Sequence, residues 1–304
     1  MTEAAERPPQ LFMSLASDSP DIADQILDQL RTHLVGLSWI DVLSEPQKGN
    51  KAGERDCPEA FAASGFVLSV QDQWFLCTAG HVLHGLERRL QAGRRLVKSR
   101  LIDIGTRPGG FPAVPFDFGP SHWMYVDDEE LGLDYGAIPL RPLYRAQLEQ
   151  GGVIPLSEGA WSDLPKRADT YFMLGYPTSA KSIEIGTTAH GGSVRVELNT
   201  PLVPLVEAYH VPDCLRTGTS RFYARVPKVT GNANGRRLEM DDIDGMSGGP
   251  IFGVQWGDHR FRYWLVAIQS AWERTSRVLA GCLVHPFAAA IAKKLREMGV
   301  GDPE

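Results

Sequence analysis

Asp244-Gly-Met-Ser-Gly-Gly-Pro-Ile-Phe-Gly253, DGMSGGPIFG, sets one serine among glycines and then runs through a proline into an apolar segment. Glycine weakens any regular element and permits backbone angles that other residues avoid. The simplest reading is a turn that leads into a strand. The same turn also suits a serine nucleophile held where backbone N–H groups can face a reacting oxyanion. A nucleophile of that kind needs a base, and the base needs an acid to orient it.

The chain around this turn has 304 residues, enough for one large domain or two moderate ones. It is 43% hydrophobic and 22% charged, the balance of a packed globular protein. A formal charge of −6 argues against nucleic acid as a partner. No apolar run approaches the roughly 20 residues that span a bilayer, so no membrane partner is expected. The start, MTEAAERPPQLF, lacks a basic segment followed by an apolar one, so it does not read as a signal peptide. Cys57, Cys77, Cys214 and Cys282 show neither metal-like spacing nor a disulfide framework. A cytoplasmic protein with mostly buried thiols is the expectation.

Ser19-Pro20-Asp21 has the chemistry of a helix start, and Ile22, Ile26, Leu27, Leu30 and Leu34 follow at helical spacing. Residues 1–55 are therefore expected to be an N-terminal extension with one amphipathic helix. From residue 60 the texture changes to short apolar runs. Phe66–Val70 and Trp74–Thr78, parted by Gln-Asp-Gln, predict a hairpin. Similar runs recur at Leu101–Ile104, Trp123–Val126, Tyr135–Leu140, Tyr171–Leu174, Ser193–Leu198, Phe222–Val226, Ile251–Val254 and Trp264–Gln269. Glycine and proline punctuate them, which predicts antiparallel barrels or a sandwich. Pro142, Gly151, Gly152, Pro155 and Pro165 mark a crossing between two halves. Pro286–Glu297 predicts a closing helix. The basic segment Arg88–Arg100 reads as a solvated loop.

Two further stretches carry chemistry. In Cys77-Thr-Ala-Gly-His-Val82, His81 follows an apolar run and a small-residue corner, where an imidazole can lie over a sheet end. His84 could share a helical face with it as a metal pair, but no third ligand is indicated, so neither metal nor cofactor is expected. In Leu133-Asp-Tyr-Gly-Ala-Ile-Pro-Leu140, Asp134 introduces a clean apolar run. A carboxylate there could simply be solvated, or it could accept the imidazole N–H and fix its tautomer. Asp103, Asp127 and Asp128 are rivals by residue type alone.

TAGHV, DYGAIPL and GMSGGPIFG, in the chain order His, Asp, Ser, resemble the trypsin/chymotrypsin-like serine peptidases, in a bacterial-type, intracellular-looking form. The resemblance covers about residues 60–290. The separations, 134 − 81 = 53 and 247 − 134 = 113, suit two barrels. It implies an all-β fold of two six-stranded antiparallel barrels, the first over about 56–145 and the second over about 160–285. A C-terminal helix at about 286–298 would complete a peptidase domain of 56–300. It also implies a catalytic His81, Asp134 and Ser247, with the backbone N–H groups of Gly245 and Ser247 as the oxyanion hole. Gly245-x-Ser-x-Gly249 also fits the α/β-hydrolase turn. That fold places its acid and histidine after the serine, and 304 − 247 = 57 residues are too few for them.

Two departures bear on regulation. Met246 stands where many members carry an aspartate that receives a newly cut N-terminal ammonium, so that activation route is absent. Val82, in place of a cysteine, follows His81. Within the resemblance, the specificity pocket has its floor six residues before the nucleophile. That residue is Asp241, which would select Arg or Lys, with Asp242 as the candidate if the register shifts by one. The segment Ala267–Ala271, with Gln269 and Ser270, is the expected wall for a substrate backbone. The expected function is a serine endopeptidase acting on a protein or peptide, with room for a regulatory protein partner. A catalytically silent relative that only binds peptides is the alternative.

Overall fold

The computed structural model describes residues 12–14, 22–43, 59–102, 113–162, 167–188, 191–231, 237–240, 242–257 and 260–299. The first half runs β1 (Phe12–Ser14), α1 (Ile22–Leu30), β2 (Leu34–Leu43), β3 (Glu59–Val70), β4 (Gln73–Thr78), α2 (Gly80–Gln91), β5 (Arg94–Ile102), β6 (Val114–Pro115), β7 (Met124–Asp128), β8 (Leu133–Pro139) and α3 (Pro142–Gly151). The second runs β9 (Thr170–Met173), β10 (Lys181–Thr188), β11 (Gly191–Leu198), β12 (Val203–Glu207), β13 (Arg221–Arg225), β14 (Val229–Gly231), β15 (Arg237–Glu239), β16 (Pro250–Gly257), β17 (Arg260–Glu273), β18 (Val278–Leu283) and α4 (Val284–Glu297).

Two antiparallel sheets result. In the second half the order β17-β16-β9-β12-β13-β18 closes through a β17–β18 pairing into a six-strand barrel, with β1 added beside β17. In the first half the order β6-β5-β2-β3-β4-β8-β7 has seven strands and stays open. The mostly-β architecture is the one expected, but the first unit has an open edge where a closed six-strand barrel was forecast. Hairpins β10–β11 and β14–β15 stand apart from both sheets.

The β3–β4 hairpin lies where Gln-Asp-Gln placed it. Gln71 and Asp72 both take positive φ, 49° and 58°, the mirror-image turn whose twist matches paired strands. The helical spacing of the N-terminal segment ends sooner than the pattern suggested. Ile26 and Leu30 are buried by α1, but Leu34 already begins β2. Strand β2 pairs with β3 on one side and β5 on the other, so the first sheet starts at Leu34 and not at residue 56. The apolar run Leu34–Ile40 is what draws it inward: Leu34, Val35 and Leu37 are fully buried. The helix start Ser19–Asp21 lies outside the described residues.

The crossing after β8 contains a helix, α3, with Pro142 in its first turn and Gly152 ending it at φ 94°. The basic segment is not a loop either. It forms the end of α2 and most of β5, and Arg89 and Arg94 turn inward to bind the fully buried carboxylate of Asp41. The Arg89 guanidinium lies 4.2 Å from the centre of the Phe61 ring. A buried charge needs such partners, because leaving it unpaired costs several kcal/mol. One core joins the halves: Phe66 and Tyr135 from the open sheet pack with Phe172 and Phe252 from the barrel, Leu30 from α1 and Phe287 from α4. Cys77 and Cys282 are buried thiols, whereas Cys214, in the short turn Asp213–Leu215, is exposed.

Candidate active site

Helix α2 starts directly after β4 at the corner Ala79-Gly80. A Cβ on Gly80 would lie 2.0 Å from the carbonyl oxygen of Val126, so only glycine lets the helix approach β7 this closely. The side chain of Ala79 cannot cap the helix. Asp134, on β8, fills that role: its Oδ1 accepts the His81 backbone N–H at 2.8 Å. Its Oδ2 lies 2.8 Å from His81 Nδ1. One carboxylate thus satisfies a helix terminus and fixes an imidazole together. With Nδ1 occupied, Nε2 is the nitrogen left to exchange a proton.

Burial draws His81 toward its neutral form. The hydrogen bond and charge of Asp134, with the charge of Asp127 added, outweigh it and raise the imidazole above its ordinary value of 6.5. Of the rivals, Asp127 and Asp128 belong to β7. Asp127 binds His84 and Asp128 accepts the Leu131 N–H. Asp103 lies outside the described residues. His81 and His84 do share a helical face, but among the described residues no cluster suits a metal ion.

The Ser247 turn is built by backbone. Gly245 and Gly248 both take φ 85°. Gly248 N–H donates to Gln269 O, Gln269 N–H to Gly249 O, and Gly249 N–H to Met246 O, at 2.8–2.9 Å. Met246 is fully buried. A Cβ on Gly248 would lie 2.2 Å from Thr78 Oγ1 and 2.8 Å from Ala79 N, so the residue after Ser247 packs on the corner that leads into His81. Ser247 itself is half-buried, and its hydroxyl engages no protein group among the described residues. The structure therefore brings His81 and Asp134 into contact and sets Ser247 beside the same corner, without a Ser247–His81 hydrogen bond.

Ser64 is a site residue that the sequence reading missed. It is fully buried on β3. Its hydroxyl donates to Gly245 O at 3.1 Å and accepts the Tyr176 N–H at 2.8 Å. Its carbonyl accepts from Thr78 Oγ1 at 2.8 Å. It ties the open sheet to the serine turn. The signal was Ala62-Ala63-Ser64-Gly65, a run of small residues inside an otherwise bulky strand.

A cleft of about 260 Å³ opens beside His81. His81, Asp134, Asp127, Arg221 and Ser270 line it, with Cys214 at its wall. Ser270 is the bulged residue between Gln269 and Ala271 on β17. Its Oγ donates to Ala280 O at 3.0 Å and accepts from Arg221. Gln269 is buried, and both its main-chain groups hold the serine turn. Asp241 lies outside the described residues. Asp242 and Asp244 are both bound by Arg274.

A closed barrel meets a second antiparallel sheet, with the histidine–aspartate pair on one and the serine turn on the other. The fold is chymotrypsin-like. Solved structures similar to the chain include an HtrA-type protease, AlgW, with a decapeptide (12% identity, 91% of this chain and 68% of that one, TM-score 0.42). Others are a thermostable serine protease, AL20, from an extremophilic microorganism (14%, 87% and 96%, 0.39) and a catalytically inactive tobacco etch virus protease complexed with substrate (11%, 87% and 84%, 0.39). The chain matches no protein-family model and no curated protein.

Proposed function

We propose that this protein is a serine endopeptidase. The observation that carries the reading is the double clamp of Asp134 on His81, at 2.8 Å to the ring and 2.8 Å to the backbone, beside a turn shaped by two left-handed glycines. Ser247 Oγ attacks the scissile carbonyl as His81 Nε2 takes its proton. The imidazolium, stabilised by Asp134, then protonates the leaving amine. An acyl group remains on Ser247, and water, activated by the same imidazole, releases it. The N–H groups of Gly245 and Ser247 receive the oxyanion, an interaction usually worth about 3 kcal/mol. Missing Ser–His hydrogen bonds are common in substrate-free sites and tighten when substrate binds. Cleavage after Arg or Lys would depend on Asp241.

The test is covalent labelling of the full chain by a fluorophosphonate, with hydrolysis of a peptide library measured in parallel. Labelling at Ser247, its loss in Ser247→Ala, and at least a ~10⁴-fold loss of turnover are expected. A properly folded protein that binds peptides without labelling or turnover would instead be the silent peptide-binding module.

A further inference from the structure

A second histidine–aspartate pair lies next to the first. His84 follows His81 by one turn on the same face of α2. Asp127 stands directly opposite Asp134 in the β7–β8 register. Opposed residues on antiparallel strands share a side, and two like charges there repel. Here each carboxylate meets its own histidine, Asp134 on His81 and Asp127 on His84 Nδ1 at 2.6 Å. A third rung continues the ladder: Tyr125 O–H donates to Glu87, and its ring stacks on His84 with centroids 5.9 Å apart and planes 18° from parallel. Asp127 also lines the cleft that His81 lines.

We propose that the His84–Asp127 pair is a positioning element for His81: His84 fixes the Asp127 carboxylate, and its charge sets the field in which His81 takes and gives up a proton. The proposal rests on the serine-peptidase reading. Held by His84, the Asp127 carboxylate stands beside the His81–Asp134 pair and favours the imidazolium that forms during acylation. The charge of Asp127 acts on His81 in the same sense as that of Asp134. The other ionisable groups around the ladder have their own contacts or lie farther along the cleft. Glu87 and Tyr125 bind each other, Asp128 accepts from Leu131 N–H, and Arg221 donates to Ser270. Glu129 and Cys214 complete the cleft wall.

The experiment follows the His81 ring by NMR titration of the full chain and, separately, the pH profile of fluorophosphonate labelling, in wild type, Asp127→Asn and His84→Gln. Asp127→Asn keeps the shape and removes the charge. It is expected to move the His81 midpoint, and the acid limb of labelling with it, down by about half a pH unit or more. His84→Gln keeps the Asp127 charge but removes the partner that fixes it, so a smaller shift in the same direction is expected. A graded response, larger for loss of the charge than for loss of the group that fixes it, is not produced by a mere prop. An unchanged midpoint in both folded variants overturns the proposal. If the midpoints move but wild type is never labelled, the peptidase reading fails instead, and the catalytic role of the pair with it.

Discussion

Beside the open sheet, on α2, His81 is held by side-chain atoms: one carboxylate accepts two hydrogen bonds, both 2.8 Å. In the closed barrel, the Ser247 turn is held by main chain: three backbone hydrogen bonds, two glycines at φ 85° and a Cβ-free contact with Thr78. A side-chain clamp can be removed by changing one functional group while the fold stays. A backbone-shaped turn cannot, because a side chain at Gly248 or Gly249 displaces neighbouring main chain. The two halves should therefore fail differently when altered.

The largest effect is expected from Asp134→Asn. The amide cannot hold His81 in the same tautomer, so turnover should fall by about 10⁴-fold. Only a modest drop in stability should accompany it, from the weaker cap on α2, about 1 kcal/mol. Turnover and urea unfolding of the same preparation check this. A variant that unfolds as readily as it loses activity would erase the contrast between the halves.

Gly248→Ala tests the other side. The methyl group would enter a left-handed position and lie 2.6 Å from Ser64 O, which is backbone and cannot step aside. A stability loss on the order of 3 kcal/mol is expected, together with loss of labelling at Ser247. Denaturant midpoints measure the first part. A stable but inactive Gly248→Ala would mean that the turn yields more easily than its contacts indicate.

His33 tests the join between the halves. It is fully buried, with Nδ1 2.6 Å from Ile154 O and Nε2 2.9 Å from the Tyr263 hydroxyl of β17. Burial lowers its pKa to about 4, against a weaker upward pull from the Ile154 carbonyl. The unfolded chain, with an ordinary histidine near 6.5, therefore binds the proton more readily over that interval. The stabilising contribution is complete above pH 6.5 and is lost as pH falls toward 4, by about 3 kcal/mol in all. Unfolding free energies between pH 4 and 8, in wild type and His33→Gln, should show a slope in the first that is shallower in the second.

The parts of the fold that were legible in the sequence carry local chemistry. Gln71-Asp72 between two apolar runs is a hairpin whatever surrounds it, and Pro142 and Pro286 sit in the first turns of real helices. Asp134 was separable from its rivals because it opens an apolar strand, and that strand is what delivers it to α2. What was illegible depends on distant partners. Leu34 continued a helical spacing, but pairing with Phe66 made it a strand residue. Arg89 and Arg94 looked solvated because their partner, Asp41, is 48 and 53 residues away. Nothing local shows that the serine turn consumes the main-chain groups of Gln269. The His84–Asp127 pair needs the β7–β8 register to be seen at all.

The open order of the first sheet leaves β7 paired, among the described residues, with β8 alone. A free strand edge is a template on which a second molecule can continue the sheet, and such growth leads to aggregates. Asp127 and Asp128 sit at the end of this edge. A further strand pairing there would have to strip water from two carboxylates, so the edge carries its own brake on such growth.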